Sequence, residues 1–199
     1  MFFCRKKKKL PKIEFSGVLL ESPLVTTLTP PKEGILEWIS HLQSKRQESV
    51  LAVNLRRDIP KTFALLYDFV DFLVVDTESD SGGTNELTDI KDLLDELLSL
   101  RLCYERYTRV LVRITDGLTP DEVSTLLDYC RLSGIDGVIV NGAKHYDFVN
   151  DHTQGRLPVM VRSDSPQEVL DLCRKGVPVE TELGNIQRLK ILKSLIDNA

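Results

Sequence analysis

Residues 109–142 read RVLVRITDGLTPDEVSTLLDYCRLSGIDGVIVNG. Two near-continuous apolar runs, Val110-Leu-Val-Arg-Ile-Thr115 and Gly137-Val-Ile-Val-Asn-Gly142, bracket a segment with helical periodicity. Runs of this length rich in β-branched residues read as strands buried on both faces, which implies a parallel sheet. The segment between them carries its own punctuation. Thr119 is placed to cap a helix, Pro120 suits the first helical position, and Glu122 completes a capping box. Gly134 then ends the helix, predicted over 120–132, as a C-cap glycine. Strand, helix and strand in this order form a βα repeat.

The pattern extends in both directions. Similar runs occur at Val50-Leu-Ala-Val-Asn-Leu55, Phe72-Leu-Val-Val-Asp-Thr77 and Pro158-Val-Met-Val-Arg-Ser163. Leu24-Val-Thr-Thr-Leu-Thr29 and Val177-Pro-Val-Glu-Thr181 are further strand candidates, which makes seven. Helical spacing predicts helices over 34–44, 60–69, 87–101, 166–175 and 184–197. Glu78 to Asn85 reads as a polar surface loop, and so does the stretch after Gly142 that holds Lys144, His145, Tyr146 and His152. Ile13 to Pro23 reads as a hairpin with Ser16-Gly17 in the turn.

The expected fold is α/β: a reduced or incomplete TIM (β/α) barrel of about seven parallel strands with a short N-terminal hairpin. A complete eight-unit barrel commonly takes about 250 residues, and this chain has 199. An open doubly wound sheet is the alternative. Residues 1–12 are expected to be a basic disordered tail, and 13–199 a single barrel-like domain. An incomplete barrel would leave a strand edge for a helix, a protein partner or a second copy to cover. In either fold Asn54, Asp76, Arg113, Asn141 and Arg162 gather at the carboxyl ends of the strands. Parallel α/β proteins place ligands at that edge.

Charge narrows the function classes. Five of the 26 basic residues fall within the first nine positions, which hold no acid, leaving 21 against all 30 acidic residues. An acidic body argues against nucleic acid as a partner. The start, Met1-Phe-Phe-Cys-Arg-Lys-Lys-Lys-Lys9, lacks the apolar region of a signal peptide. No run of about 20 apolar residues spans a membrane. The expected location is cytoplasmic, with peripheral membrane contact through residues 1–9 as the second reading. Cys4, Cys103, Cys130 and Cys173 form no CxxC pair, and Cys130 and Cys173 read as core residues. No metal site is expected: His145 and His152 with Asp147 or Asp151 match no standard spacing.

The order of these segments resembles the dihydroorotate dehydrogenase family, most closely its quinone-using class. Five stretches carry the likeness. Glu14-Phe-Ser-Gly-Val-Leu-Leu-Glu-Ser-Pro-Leu24 resembles the family's opening hairpin, and Leu51-Ala-Val-Asn-Leu55 its strand ending in Val-Asn-Leu-Gly. Asp71-Phe-Leu-Val-Val-Asp-Thr-Glu-Ser-Asp-Ser81 resembles Asp-Tyr-Leu-Val-Val-Asn-Val-Ser-Ser-Pro-Asn. Arg109 to Thr119 resembles Pro-Val-Leu-Val-Lys-Ile-Ala-Pro-Asp-Leu-Thr, and the following Gly134-Ile-Asp-Gly-Val-Ile-Val140 resembles Gly-Ile-Asp-Gly-Ile-Ile-Val.

The resemblance implies FMN as cofactor and the oxidation of dihydroorotate to orotate in pyrimidine biosynthesis. It places Ser79 at the catalytic serine and Asn54 at a flavin- and substrate-contacting asparagine. Other positions differ. Asp76 stands for a substrate-binding asparagine, and Ser81 for the second asparagine of that loop. Arg113 stands for the flavin-contacting lysine, and Asn141 lies where the family has Thr-Asn-Thr. Val161-Arg-Ser-Asp164 replaces the Gly-Val-Gly-Gly phosphate loop, where Arg162 is the residue able to pair with a phosphate. The family's second unit, before Val50, is largely absent. Asp76 and Arg113 would also satisfy each other as a salt bridge filling the site. The preferred reading is a catalytically impaired homologue acting as a binding or structural module. The alternative is an active FMN-dependent dihydroorotate dehydrogenase. A third reading is another phosphate-ligand site built on Arg113 and Arg162.

Overall fold

A computed structural model describes residues 10–182 apart from 22, 32, 46–49, 56–58, 79–82 and 84. Strands β1 (Ile13–Phe15) and β2 (Val18–Leu20) pair antiparallel, with Phe15 opposite Val18. Ser16 (φ 50°) and Gly17 (φ 72°) form the connection. Two consecutive left-handed residues match the twist of the flanking strands, so the hairpin turn falls where the sequence marks it.

Seven parallel strands follow. They are β3 (Leu24–Leu28), β4 (Leu51–Leu55), β5 (Phe72–Asp76), β6 (Arg109–Ile114), β7 (Gly137–Asn141), β8 (Val159–Arg162) and β9 (Val179–Glu182). They pair in sequence order, and β9 returns to β3 with Leu24 opposite Val179 and Thr27 opposite Glu182. The fold is thus the reduced barrel, and the open doubly wound sheet is excluded. The expected uncovered strand edge is not formed. Strand tilt and stagger let a ring of fewer strands close, and closure satisfies the backbone groups a partner would otherwise have had to cover.

Six described helices surround the ring: α1 (Ile35–Lys45), α2 (Ile59–Leu66), α3 (Leu87–Arg101), α4 (Pro120–Ser133), α5 (Ala143–Thr153) and α6 (Pro166–Arg174). The local signals around α4 act as read. The Thr119 hydroxyl accepts from the Glu122 N–H, the Glu122 carboxylate accepts from the Thr119 N–H at 2.8 Å, and Gly134 ends the helix at φ 85°. The hydrogen bonds from Thr119 hold the Glu122 carboxyl below the usual range. Helix α5 corrects the loop expected after Gly142. Its polar sequence buries only Val149 and Thr153, too thin an apolar stripe to show helical periodicity. The helix predicted over 184–197 and residues 1–9 of the tail expected over 1–12 lie outside the described residues; of the rest, Leu10 packs against the core.

Alternation along the strands builds two cores. Val53, Val75, Val112 and Val140 face the helices. Val25, Ala52, Phe72, Val74, Leu111, Ile139 and Met160 fill the lower barrel, with Phe15 and Leu20 of the hairpin beneath them. The Phe15 and Phe72 rings meet edge-to-face at 5.7 Å. Gly137 makes this seat possible: a Cβ there would lie 2.9 Å from the Pro158 carbonyl and 3.1 Å from the Phe15 ring. Ser16 Oγ donates to the Asp136 carbonyl at 2.6 Å, and Arg109 donates to the carbonyls of Ser16 and Gly17.

Candidate functional site at the barrel mouth

The same alternation decides which residues reach the upper interior. On β4 the inward set continues from Ala52 to Asn54, on β5 from Phe72 and Val74 to Asp76, and on β6 from Leu111 to Arg113. On β9, Val179 faces the helices, so Glu180 faces in. Asn54, Arg113 and Glu180 are 0% exposed and Asp76 is 6% exposed.

These four form one connected network. Arg113 Nη1 donates to Asp76 Oδ1 at 2.9 Å and to Oδ2 at 3.0 Å. Its Nε donates to Glu180 Oε2 at 3.2 Å, and its Nη2 donates to Glu180 Oε1. Asn54 Nδ2 donates to Asp76 Oδ2 at 2.6 Å. One guanidinium therefore grips two carboxylates from opposite sides. A buried ion pair is maintained only when such geometry and further hydrogen bonds offset desolvation, and the planar fork of arginine supplies both. Among the described residues, Asn54 Oδ1 and Thr27 Oγ1 in the interior have no hydrogen-bond partner.

The segment after β8 has a second, smaller network. Ser163 Oγ donates to Glu168 Oε2 at 2.5 Å, and the Ala143 N–H donates to Glu168 Oε1 at 3.0 Å. The Ser163 N–H donates to the Glu180 carbonyl, and the Ser165 N–H to Ser163 Oγ. Ser165 caps α6 without a side-chain bond. A carboxylate thus sits among the donors where β7 enters α5 and β8 enters α6.

The sequence-derived residues separate on the structure. Asn54, Asp76 and Arg113 come together. Arg162 is half-buried, with Asn141 opposite it in register on one side and Glu180 on the other. Asn141 belongs to a different feature, a cleft of about 490 Å³ between α4 and α5, and its carbonyl accepts from His145 Nδ1 at 2.6 Å. Ser79 and Ser81 lie outside the described residues. Glu180 is the residue that sequence reasoning missed. Its signal was an acid within a short β-branched run, meaningful only once register turns it inward. His145 and His152 approach Asp116 (3.8 Å) and Asp128 (3.7 Å) respectively. Among the described residues no group of three or more metal-ligating side chains occurs. No described helix is long and apolar enough to cross a membrane.

The arrangement differs from an open polar mouth. With Nε, Nη1 and Nη2 all donating to carboxylates, Arg113 is engaged through each of its nitrogens by groups of the chain itself. No family model matches this chain, and no curated protein matches it. Solved structures do. A crystal structure of DHODH from Eimeria tenella in complex with ferulenol superposes with a TM-score of 0.68 at 12% identity, over 100% of this chain and 85% of that one. A ligand-free type DHODH from Eimeria tenella gives 0.70 at 14% identity, over 99% and 88%. The chain has a DHODH-like fold.

Proposed function

We propose that this protein is a dihydroorotate dehydrogenase-like barrel, catalytically impaired, that acts as a binding or structural module. The observation that carries the reading is Arg113, fully buried and held by both Asp76 and Glu180. The resemblance gives this position a lysine that contacts the flavin. Here its counterpart is committed below the mouth. Two further observations support the same reading. Asp76 would set a carboxylate against an anionic substrate, and like charges in a poorly solvated site cost affinity. The residues of the phosphate loop do not fit a flavin phosphate. Ser163 and Asp164 bring side chains where glycines would expose backbone N–H groups. Glu168 already accepts from the donors beside them.

One observation favours the alternative of an active FMN-dependent enzyme. Asn54 Oδ1 is buried and has no partner among the described residues, and a buried acceptor without a donor is costly unless something supplies one. Because the ring closes, a partner protein or second copy would have to use a surface other than a strand edge. A cytoplasmic location, with residues 1–9 against anionic lipid, belongs to the same proposal.

The test is a flavin titration of the purified full chain. The expected result is no flavin absorbance as isolated and no saturable change on adding FMN. Recovery of one FMN per chain overturns the proposal and returns Ser79 and Asn54 to catalytic and substrate-binding roles.

A further inference from the structure

The cleft between α4 and α5 has the make-up of a ligand site and lies apart from the ionic network of the mouth. Its floor is Ile114, Val140 and Val149, which are 6%, 1% and 1% exposed. Leu118, Val123 and Phe148 form its walls, and the Phe148 ring is 46% exposed. A volume of about 490 Å³ lies in the usual range for small-molecule sites, roughly 300–1,000 Å³. An apolar floor beside an accessible ring suits a flat aromatic body.

The polar groups of the lining come from β7 and the start of α5 and from Thr115 and Asp116 just after β6. Lys144 is exposed and makes no ion pair or hydrogen bond among the described residues. His145 has one ring nitrogen committed. The Asn141 carbonyl can only accept, so Nδ1 carries the proton and Nε2 is left for a second contact. Asp116 also lines the cleft, 3.8 Å from His145 Nδ1. One ammonium without a counter-ion favours one negative charge on a ligand. The Asp116 carboxylate disfavours a second.

We propose that this cleft binds a small aromatic monoanion, with its ring on the Ile114–Val140 floor against Phe148 and its acidic group at Lys144. The proposal does not depend on whether the barrel mouth binds flavin. The probe is 8-anilinonaphthalene-1-sulfonate, an aromatic ring system with one sulfonate, titrated into the full chain and followed by fluorescence. The expected result is saturation at one probe per chain. Lys144→Glu reverses an exposed charge outside the core and should weaken binding about fivefold. Phe148→Ala removes the wall and should weaken it by a similar factor, about fivefold. Near-UV circular dichroism reports whether each variant keeps its packing. Neutral N-phenyl-1-naphthylamine should bind more weakly than the sulfonate and should not discriminate against Lys144→Glu. Absence of saturable binding, an unchanged titration in either variant, or preference for the neutral amine overturns the proposal.

Discussion

Arg113 is the residue on which the upper barrel turns. Removing its charge would leave Asp76 and Glu180 buried without a cation. Arg113→Met should therefore cost roughly 3–5 kcal/mol, read as a lower urea midpoint at unchanged slope. Adding Asp76→Asn and Glu180→Gln in the same chain should recover much of that loss, because the uncompensated charges leave together. Glu122 offers a pH-dependent counterpart. Its carboxyl is held low chiefly by the Thr119 side-chain bond, so its contribution is present above the ordinary glutamate range, near about 4.3, and fades as pH falls through the lowered folded value. Glu122→Gln should be less stable than the parent at pH 7, and thermal melts of the two should converge in strong acid. The two residues also differ in legibility. Thr119 and Glu122 are three positions apart, so the sequence shows their bond directly. Glu180 meets Arg113 across 67 positions, and only the closed ring brings them together.

At the scale of elements, strands were legible because burial on both faces leaves an unbroken apolar run. All seven expected barrel strands are present, within a few residues of their expected bounds. Helix α5 was not legible, because its repeat position rather than an apolar stripe makes it a helix. The hairpin lies between these cases. Ser16-Gly17 announced the turn, while its role beneath the barrel depends on Phe15 meeting Phe72 and on the space at Gly137. Gly137→Ala should thus cost about 1–3 kcal/mol through overpacking, and Phe15→Ala about 3–5 kcal/mol through a cavity at the base. Measured together in one chain, the two should cost less than their sum, since the smaller side chain relieves the clash. Thiol labelling gives a check on the helices. Burial pushes the thiols of Cys130 to about 12 and Cys173 to about 11. In native protein at pH 8 Cys103, which is exposed, should react quickly, and Cys130 and Cys173 only after unfolding.

For the whole molecule, the outcome turns on how the ring closes. The order of the segments made a barrel readable, but the length of the chain argued for a gap. Register at β3 and β9 shows that seven strands suffice, and no local signal encodes that pairing. Truncation after residue 177 removes β9 and with it one of the two partners of β3, one of the two partners of β8 and one arm of the Arg113 network. The truncated chain should lose cooperative unfolding and scatter light on warming, as exposed strand edges associate. Arg113 has a mechanical meaning in this setting. Asp76 stands on the neighbouring strand, whereas Glu180 stands three strands away, as far around a seven-strand ring as a residue can be. The side chain is a spoke laid across the hoop. It sets the width of the cross-section there, so the mouth cannot widen by the swing of a surface loop. Anything admitted to the interior from that end must first cut the spoke, which makes opening an event of the whole hoop.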